Sequence, residues 1–253
     1  MRYIIQAACG CSMGRIRENN EDNFYFDGRC LEQDNEGLAN PVTLEEVLKS
    51  GQTFAVFDGV GGENFGEEAS FTAARQLQLC HRTLADFFVS ERRFLERTVG
   101  QLNDAVREKQ QLRHAGTMST TMVSLYFSGR YVYVCNVGDS RAYRLREGEF
   151  IQLSQDHLEK RPDGNHKKGR LTRYLGFDTD EVQLEPFIAK GQIRRGDRYL
   201  LCSDGLTDML TNFEITDILL RHEEPEDCVR TLIRAALENG GRDNVTAIVC
   251  RIE

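Results

Sequence analysis

The sequence predicts an α+β fold built of stacked layers, with antiparallel sheets and paired helices. Two observations carry this prediction: strand-like segments gather in blocks, and helical periodicities occur in pairs between those blocks rather than in alternating βαβ units. The 253 residues, 40% hydrophobic and 28% charged, are typical of a soluble globular chain. One domain over residues 1–253 is the simplest organisation for this length.

Nine segments are predicted to be strands, because apolar residues alternate along them or because β-branched and aromatic residues dominate. Short turns after residues 128 and 147 favour antiparallel pairing of the middle segments. In chain order the predicted strands are 3–9, 23–27, 53–58, 117–127, 130–137, 141–145, 150–154, 197–204 and 244–252.

Four main helices are predicted. Apolar residues step by three and four over 67–88, and Ser90 followed by Glu91 is typical of an N-cap opening the next helix. Cap or proline signals open two more, at 213–221 and 225–238. A short helix is also expected at 43–49. Residues 155–170 are polar and basic, and proline, glycine and asparagine interrupt any periodicity, so an exposed loop is predicted there.

Composition argues against several classes of protein. The net charge of −8 disfavours nucleic-acid binding, which normally needs a basic surface, and no apolar run approaches the length of a membrane span. The N-terminal segment is interpreted as a first strand rather than a signal peptide. The eight cysteines are expected to be free thiols in a cytoplasmic protein; Cys9 and Cys11 lack the second ligand pair that a zinc site needs.

Acidic residues recur at the ends of predicted strands. In TFAVFDGVGG, residues 53–62, an apolar strand runs into Asp58 and is followed by glycines that leave room for a ligand. In isolation, this segment is explained better by a strand followed by an Asp-Gly hairpin turn. The recurrence favours a shared site. The other acidic positions at strand ends are Glu21-Asp22, Asp139, Asp204 and Asp243, which is followed by Asn244.

Carboxylates crowded at one sheet edge would repel one another, so cations are expected between them. Oxygen ligands suit Mg²⁺ or Mn²⁺, and two such ions sharing a carboxylate would acidify a bound water. The chemistry predicted is metal-assisted hydrolysis of an anionic ester. Arg17 is a candidate for gripping a phosphate, although a surface salt bridge to a nearby glutamate fits the local sequence as well.

The ordered set of motifs resembles the PPM/PP2C metal-dependent protein serine/threonine phosphatases, in their bacterial form. The resemblance extends from about residue 8 to 250 and rests on the whole series, because each motif alone is weak. The series comprises Arg17-x-x-x-Glu21-Asp22, Asp58-Gly59-x-Gly61-Gly62, Gly116-Thr117, Val137-Gly138-Asp139-Ser140-Arg141, Leu171-Thr172-Arg173-x-Leu175-Gly176, Ser203-Asp204-Gly205-Leu206 and Asp243-Asn244-Val245-Thr246.

The resemblance implies a four-layer α-β-β-α sandwich and a centre of two Mn²⁺ or Mg²⁺ ions, with a third ion in the bacterial branch. Asp58 would bridge two ions and the Gly59 carbonyl would ligate one of them. Asp204 and Asp243 would hold the other ion, and Asp139 would contribute to the third site.

The same resemblance assigns supporting roles. Arg17 would bind the substrate phosphate, while Glu21 and Asp22 would act mainly through metal-bound waters, with Asn244 supporting them. Arg17, Asp22 and Asp58 are thus the expected catalytic residues. The implied reaction is in-line attack of a bridging hydroxide on phosphorus, without a phospho-enzyme.

One position departs from the family pattern. Many members have a histidine where this chain has Val60, and that histidine is proposed to protonate the leaving group. Valine cannot donate a proton, so a metal-bound water must do so or turnover on alkyl esters will be slow. His157 and His166 in the predicted loop are either substitutes for it or plain exposed histidines.

The resemblance implies phosphorylated proteins as substrates and a Ser/Thr kinase as the opposing enzyme, with a monomeric state and no nucleic-acid or membrane partner expected. Two alternatives stay open: a catalytically weak binding scaffold, and a phosphoesterase for a small phosphorylated molecule. Retention of Asp58, Asp204 and Asp243 favours an active enzyme over the scaffold.

Overall fold

The computed structural model describes residues 2–60, 65–82, 89–159, 169–178 and 184–253. Within these ranges it contains twelve strands and five helices. The strands are β1 Ile4–Ser12, β2 Asp22–Phe26, β3 Val42–Val47, β4 Thr53–Val60, β5 Ser119–Thr120, β6 Met122–Ser128, β7 Tyr131–Val137, β8 Arg141–Arg146, β9 Glu149–Gln152, β10 Phe187–Gln192, β11 Arg198–Cys202 and β12 Val245–Ile252. The helices are α1 Gly66–Leu79, α2 Glu91–Arg113, α3 Asp204–Thr207, α4 Asn212–Arg221 and α5 Pro225–Glu238.

The strands form two antiparallel sheets. The first sheet has the order β3-β1-β12-β11-β8-β9, and the second has the order β10-β7-β6-β4-β2, with β5 paired to β4. Helices α1 and α2 cover the outer face of the second sheet, while α3, α4 and α5 cover the outer face of the first. This arrangement confirms the predicted α+β class and the four-layer α-β-β-α sandwich.

Three apolar layers hold the sandwich together. The central layer joins the two sheets, and its large buried side chains include Phe54 and Phe127 from the second sheet and Tyr199 from the first. Two outer layers join each sheet to its helices. Strands β6 and β12 lie between two layers and are buried on both faces, which explains their long apolar runs.

Local signals set the helix ends as expected. The Ser90 hydroxyl accepts a hydrogen bond from the backbone N–H of Arg93 and caps α2. Thr211 and Glu214 form a capping box at the start of α4, and Pro225 occupies the first turn of α5. The predicted helices 213–221 and 225–238 are therefore found within one residue of their expected bounds.

The helix expected at 43–49 is wrong, because β3 occupies Val42–Val47 and pairs antiparallel with β1. Its residues alternate between partly buried and exposed, which is the two-residue period of a strand at a sheet edge. The glutamates and leucine favoured a helix locally. The free edge of β1 offered a ladder of hydrogen bonds that overrode this preference.

Two other elements differ from the prediction. The first helix ends at Leu79 rather than continuing to 88, and residues 83–88 lie outside the described part of the chain. Strand β10 was not predicted; it lies at the edge of the second sheet and carries Lys190 and Gly191, which are uncommon in strands.

The eight cysteines are free thiols, and six of them are buried. Cys11 lies in the central layer, where its sulfur accepts hydrogen bonds from Asn20 and Thr246. None of the helices in the described ranges combines the length and the apolar character that a bilayer crossing requires.

Candidate active site

Two of the predicted acidic residues face each other across neighbouring strands. Asp22 opens β2, Asp58 lies near the end of β4, and the strand register places their Cα atoms directly opposite. Like charges at directly opposed positions destabilise a sheet. The pair is therefore a locally unfavourable arrangement that the strand pairing imposes.

The other three acidic residues arrive from different connections. Asp204 begins α3 directly after β11, Asp243 precedes β12, and Asp139 follows β7. The pKa of Asp58 is raised well above its usual value, first by burial and then by the negative charges of Asp204, Asp22, Asp139 and Asp243. The structure thus brings all five predicted aspartates into one electrostatically coupled cluster, to which both sheets contribute.

Asp22 is the most enclosed member of this cluster, with 1% of its surface exposed. One carboxylate oxygen accepts hydrogen bonds from the Ser203 hydroxyl at 2.7 Å and the Thr246 hydroxyl at 2.6 Å. Ser203 follows β11 and Thr246 lies on β12, both strands of the first sheet, whereas Asp22 lies on β2 of the second. Asp22 therefore connects the two sheets. Burial, assisted by the charges of Asp204 and Asp243, raises the pKa of Asp22 to about 7.

Hydroxyl groups that the sequence reasoning missed hold the backbone at Asp58. The N–H of Asp58 donates to the Thr121 hydroxyl at 3.2 Å, and the N–H of Thr121 donates to the Asp58 carbonyl at 2.8 Å. Thr120 also donates its hydroxyl to that carbonyl. The run of three hydroxyl residues at 119–121, directly before the apolar strand β6, is the signal from which this role could have been predicted.

Gly59 is required because three backbone segments meet there. A Cβ atom at Gly59 would lie 2.3 Å from the carbonyl oxygen of Gly66 and 2.7 Å from that of Glu21. The Gly59 N–H donates to the Glu21 carbonyl at 3.1 Å. This glycine therefore seats the end of β4 against the start of α1 and the loop that carries Glu21, a packing reason that the sequence did not show.

Arg17 pairs with a distant carboxylate rather than with a nearby glutamate. Its guanidinium lies 2.6 Å from a carboxylate oxygen of Asp243, and both side chains are partly exposed. Arg17 therefore does form a salt bridge, as the alternative expected, but its partner is Asp243 of the acidic cluster and not a nearby glutamate. The guanidinium is held at the edge of that cluster.

Asn244 fixes the loop on which Arg17 lies. Its side-chain oxygen accepts from the N–H of Glu21 at 2.8 Å, while its amide donates to the carbonyls of Met13 and Asn19 at 2.8 and 2.9 Å. Burial raises the pKa of the Glu21 carboxyl, which lies beside the first residue of α1. The hydrogen bonds of Asn244 therefore support the loop at both of its ends.

An open cleft of about 460 Å³ lies over the cluster. Val60, two residues after Asp58 on β4, lines the cleft with 38% of its surface exposed and carries no proton donor. Four further polar or ionisable side chains that were not predicted as site residues border the cleft: Thr117, Ser119, Arg170 and Tyr174. The full lining is Asp58, Val60, Thr117, Ser119, Asp139, Gly169, Arg170, Leu171, Tyr174 and Asp204.

The expectation that His157 is either exposed or a proton donor is wrong. The side chain is buried, and its Nδ1 accepts a hydrogen bond of 3.0 Å from the N–H of Gly138. Burial, and then the charge of Arg173, lower the pKa of His157 to about 4, so the ring is neutral at physiological pH. It holds the turn before Asp139. His166 lies outside the described residues.

The donor set of the cluster fits divalent metal ions. It offers carboxylate oxygens, and burial together with the negative charges of the neighbouring aspartates raises the pKa of Asp58, an effect that a bound cation would oppose. Arg17 brings one cation to the edge of the cluster. No group of three or more His, Cys, Asp or Glu side chains within the described ranges already has a spacing that fits an ion. The fit therefore rests on the chemistry of the donors.

Known proteins resemble this chain over most of its length. The family model Protein phosphatase 2C matches residues 43–242. The serine/threonine phosphatase stp of Listeria monocytogenes serotype 4b is 30% identical over 93% of this chain and 91% of its own length. The serine/threonine protein phosphatase PstP of Mycobacterium tuberculosis is also 30% identical, over 98% of this chain, which spans only 45% of that relative.

Solved structures agree with these relatives. The catalytic domain of a serine/threonine protein phosphatase PstP in complex with two manganese ions has a TM-score of 0.76 and 27% identity, covering 99% of each chain.

Proposed function

This chain belongs to the protein phosphatase 2C family, and we propose that it removes phosphate from phosphoserine and phosphothreonine in proteins with the help of divalent metal ions. The observation that carries the proposal is the cluster of five aspartates contributed by both sheets, which lies beneath an open cleft and has an arginine at its edge. Residues 1–253 would form a single phosphatase domain.

Within this proposal, Asp58, the Gly59 carbonyl, Asp204 and Asp243 would hold two Mn²⁺ or Mg²⁺ ions, and Asp139 would contribute to a third. When bound, such ions would supply an acidified water, the bridging hydroxide that the family resemblance implies, as the nucleophile. The chain itself supplies a rigid frame: Thr120 and Thr121 fix the Asp58 backbone, and the buried Asp22 fixes the two sheets against each other.

The substrate phosphate would be bound by Arg17, whose guanidinium reaches the cluster edge from a loop that Asn244 holds in place. A planar guanidinium matches two phosphate oxygens at once, which would orient phosphorus toward the cluster. Binding of phosphate there would compete with the contact between Arg17 and Asp243. Both side chains are partly exposed, so this contact is weak enough to exchange.

The proton for the leaving group would come from solvent, because Val60 faces the cleft without a donor. Aryl phosphates, whose leaving groups need no proton, would therefore be turned over more readily than alkyl phosphates. The natural substrates would be phosphorylated proteins of a cell that also contains a Ser/Thr kinase, and the active form would be a monomer.

The proposal is tested with purified protein, p-nitrophenyl phosphate and a phosphothreonine peptide, in Mn²⁺ and in EDTA. Release of phosphate from both substrates in Mn²⁺, and its loss in EDTA, is the expected result. Asp204→Asn should abolish metal-dependent turnover while far-UV circular dichroism stays unchanged, because a neutral amide binds a hard dication poorly. The matched control is Asp217→Asn, which changes a partly exposed carboxylate that pairs with Arg221 on α4, away from the acidic cluster.

Three outcomes would contradict the proposal. Absence of turnover on both substrates would indicate a binding scaffold, and turnover on p-nitrophenyl phosphate alone would indicate a small-molecule phosphoesterase. Wild-type activity in Asp204→Asn would remove that residue from the site.

A further inference from the structure

A large polar recess lies beside the cleft. It has a volume of about 730 Å³, which is greater than the cleft itself and lies within the ~300–1,000 Å³ typical of ligand sites. Thr117, Ser119 and Tyr174 border both spaces, so the two are adjacent. We call it the lateral recess, lined by Arg107, Gln110, Gln111, His114, Ala115, Gly116, Thr117, Met118, Ser119, Tyr174, Gly176 and Asp178.

The walls of the lateral recess are fixed by the fold. One wall is the C-terminal end of α2, which closes at His114 in the left-handed conformation. The opposite wall is the segment around Gly176, where the buried Asn103 accepts hydrogen bonds from the N–H groups of Gly176 and Phe177 at 2.9 and 3.0 Å. A recess with both walls tied to α2 is a preformed space rather than a gap between loose segments.

The charges in the lateral recess are compensated within it. Arg107 lies 2.8 Å from the Asp178 carboxylate, so this pair presents little net charge. The remaining polar side chains are two amides, an imidazole and the three hydroxyl groups that the recess shares with the cleft. Gln110 donates to the Gly116 carbonyl at 3.2 Å, while Gln111 and His114 are exposed. Amide side chains both donate and accept, which suits the backbone and the uncharged polar side chains of a peptide.

We propose that the lateral recess is a substrate subsite that binds the residues flanking the phosphorylated residue of a protein, with a preference for uncharged polar side chains. This inference rests on the proposed phosphatase function. A substrate of small-molecule size occupies the cleft over the acidic cluster and leaves the recess unfilled. A polypeptide that places its phosphate in the cleft continues past Thr117 and Tyr174 into the recess.

The test blocks the recess with Gly116→Trp. Gly116 lines the recess, and a Cβ atom there has no neighbour within 4 Å, so a side chain can be introduced at this position without a clash at the backbone. The matched control is Gly100→Trp, because Gly100 lies on α2 away from the recess and its Cβ position is equally open. For each variant, kcat/KM is measured on a phosphothreonine peptide with Ser and Gln flanks and on p-nitrophenyl phosphate.

For Gly116→Trp, the ratio of the peptide kcat/KM to the p-nitrophenyl phosphate kcat/KM should fall at least about tenfold, a change of ~1.4 kcal/mol in transition-state stabilisation. The ratio for Gly100→Trp should stay at the wild-type value. A direct measurement is the fluorescence anisotropy of a labelled peptide carrying a non-hydrolysable phosphonate, whose affinity should weaken in Gly116→Trp alone.

The flank preference is tested with peptides that differ only in their flanking residues. Ser and Gln flanks should give a higher kcat/KM than Leu or Glu flanks, and Gln111→Ala should reduce that advantage. An unchanged ratio in Gly116→Trp would overturn the subsite, and equal or better turnover with Glu flanks would overturn its neutral character. Absence of turnover on p-nitrophenyl phosphate in the wild type is a different result, since it refutes the proposed function itself.

Discussion

The stability of the metal-free protein should depend on pH through Asp22. This carboxyl is buried between the sheets, and burial raises its pKa from 3.8 to about 7 in the folded state. The folded protein then keeps a proton that the unfolded chain has already released. The stability contributed by Asp22 is therefore complete below pH 3.8 and is lost as the pH rises through 7.

The size of the effect follows from these two values. One pKa unit corresponds to ~1.4 kcal/mol, so the free energy of unfolding should fall by about 2–3 kcal/mol between pH 5 and pH 8 from this group. Asp22→Asn keeps an oxygen that can accept from the hydroxyls of Ser203 and Thr246 but cannot titrate. The variant should lose that part of the pH dependence and be more stable than the wild type at pH 8.

The measurement is urea unfolding in EDTA at several pH values. Far-UV circular dichroism is the suitable probe because the chain contains no tryptophan. Asp217→Asn, on the exposed face of α4, controls for a general change of net charge. Parallel pH profiles for the wild type and Asp22→Asn would refute the reasoning, because they would show that Asp22 has the same pKa in the folded and unfolded states.

Three further predictions concern single positions. Val60→His should raise kcat on alkyl phosphates more than on aryl phosphates, measured as a ratio of the two substrates; equal gains would reject a proton-donating role for this position. Asn244→Ala removes three hydrogen bonds and should cost about 2–3 kcal/mol in urea unfolding. It should also raise KM for p-nitrophenyl phosphate, because the loop that carries Arg17 loosens; an unchanged KM would show that the stability of this loop does not affect substrate binding. Asp197→Ala removes the buried carboxylate that pairs with the partly buried Arg146 guanidinium and leaves that cation only the Gln192 carbonyl as an acceptor; it should cost about 3–5 kcal/mol, and a loss below ~1 kcal/mol would contradict this.

The layered fold could be predicted because its signals are local and repeated. Alternating strands and capped helices occur in blocks, and the four-layer sandwich that the family resemblance implied is confirmed by the structure. Strand β3 was mistaken for a helix because its two glutamates favour a helix locally, whereas its actual conformation depends on pairing with β1. Strand β10 was missed because Lys190 and Gly191 are uncommon in strands. This segment is a strand because it pairs with β7 at the edge of the second sheet.

The acidic members of the site could be located from the sequence because each stands at a strand end, and the structure brings Asp22, Asp58, Asp139, Asp204 and Asp243 together. Their supports could not be located in the same way. Whether a threonine hydroxyl at 121 reaches the backbone of Asp58 depends on the register between distant strands. The burial of His157 likewise depends on how its segment packs beside Gly138, which composition does not reveal.

The contribution of both sheets to one cluster has a consequence for how the protein responds to changes in its interior. Phe127 of the second sheet packs edge-on against Tyr199 of the first, with ring centroids 6.1 Å apart, and contacts of this kind set the spacing of the two halves. A volume change at such a contact shifts one set of oxygens relative to the other. Turnover should therefore fall when such a change displaces the halves, in addition to the loss of stability that the change itself causes.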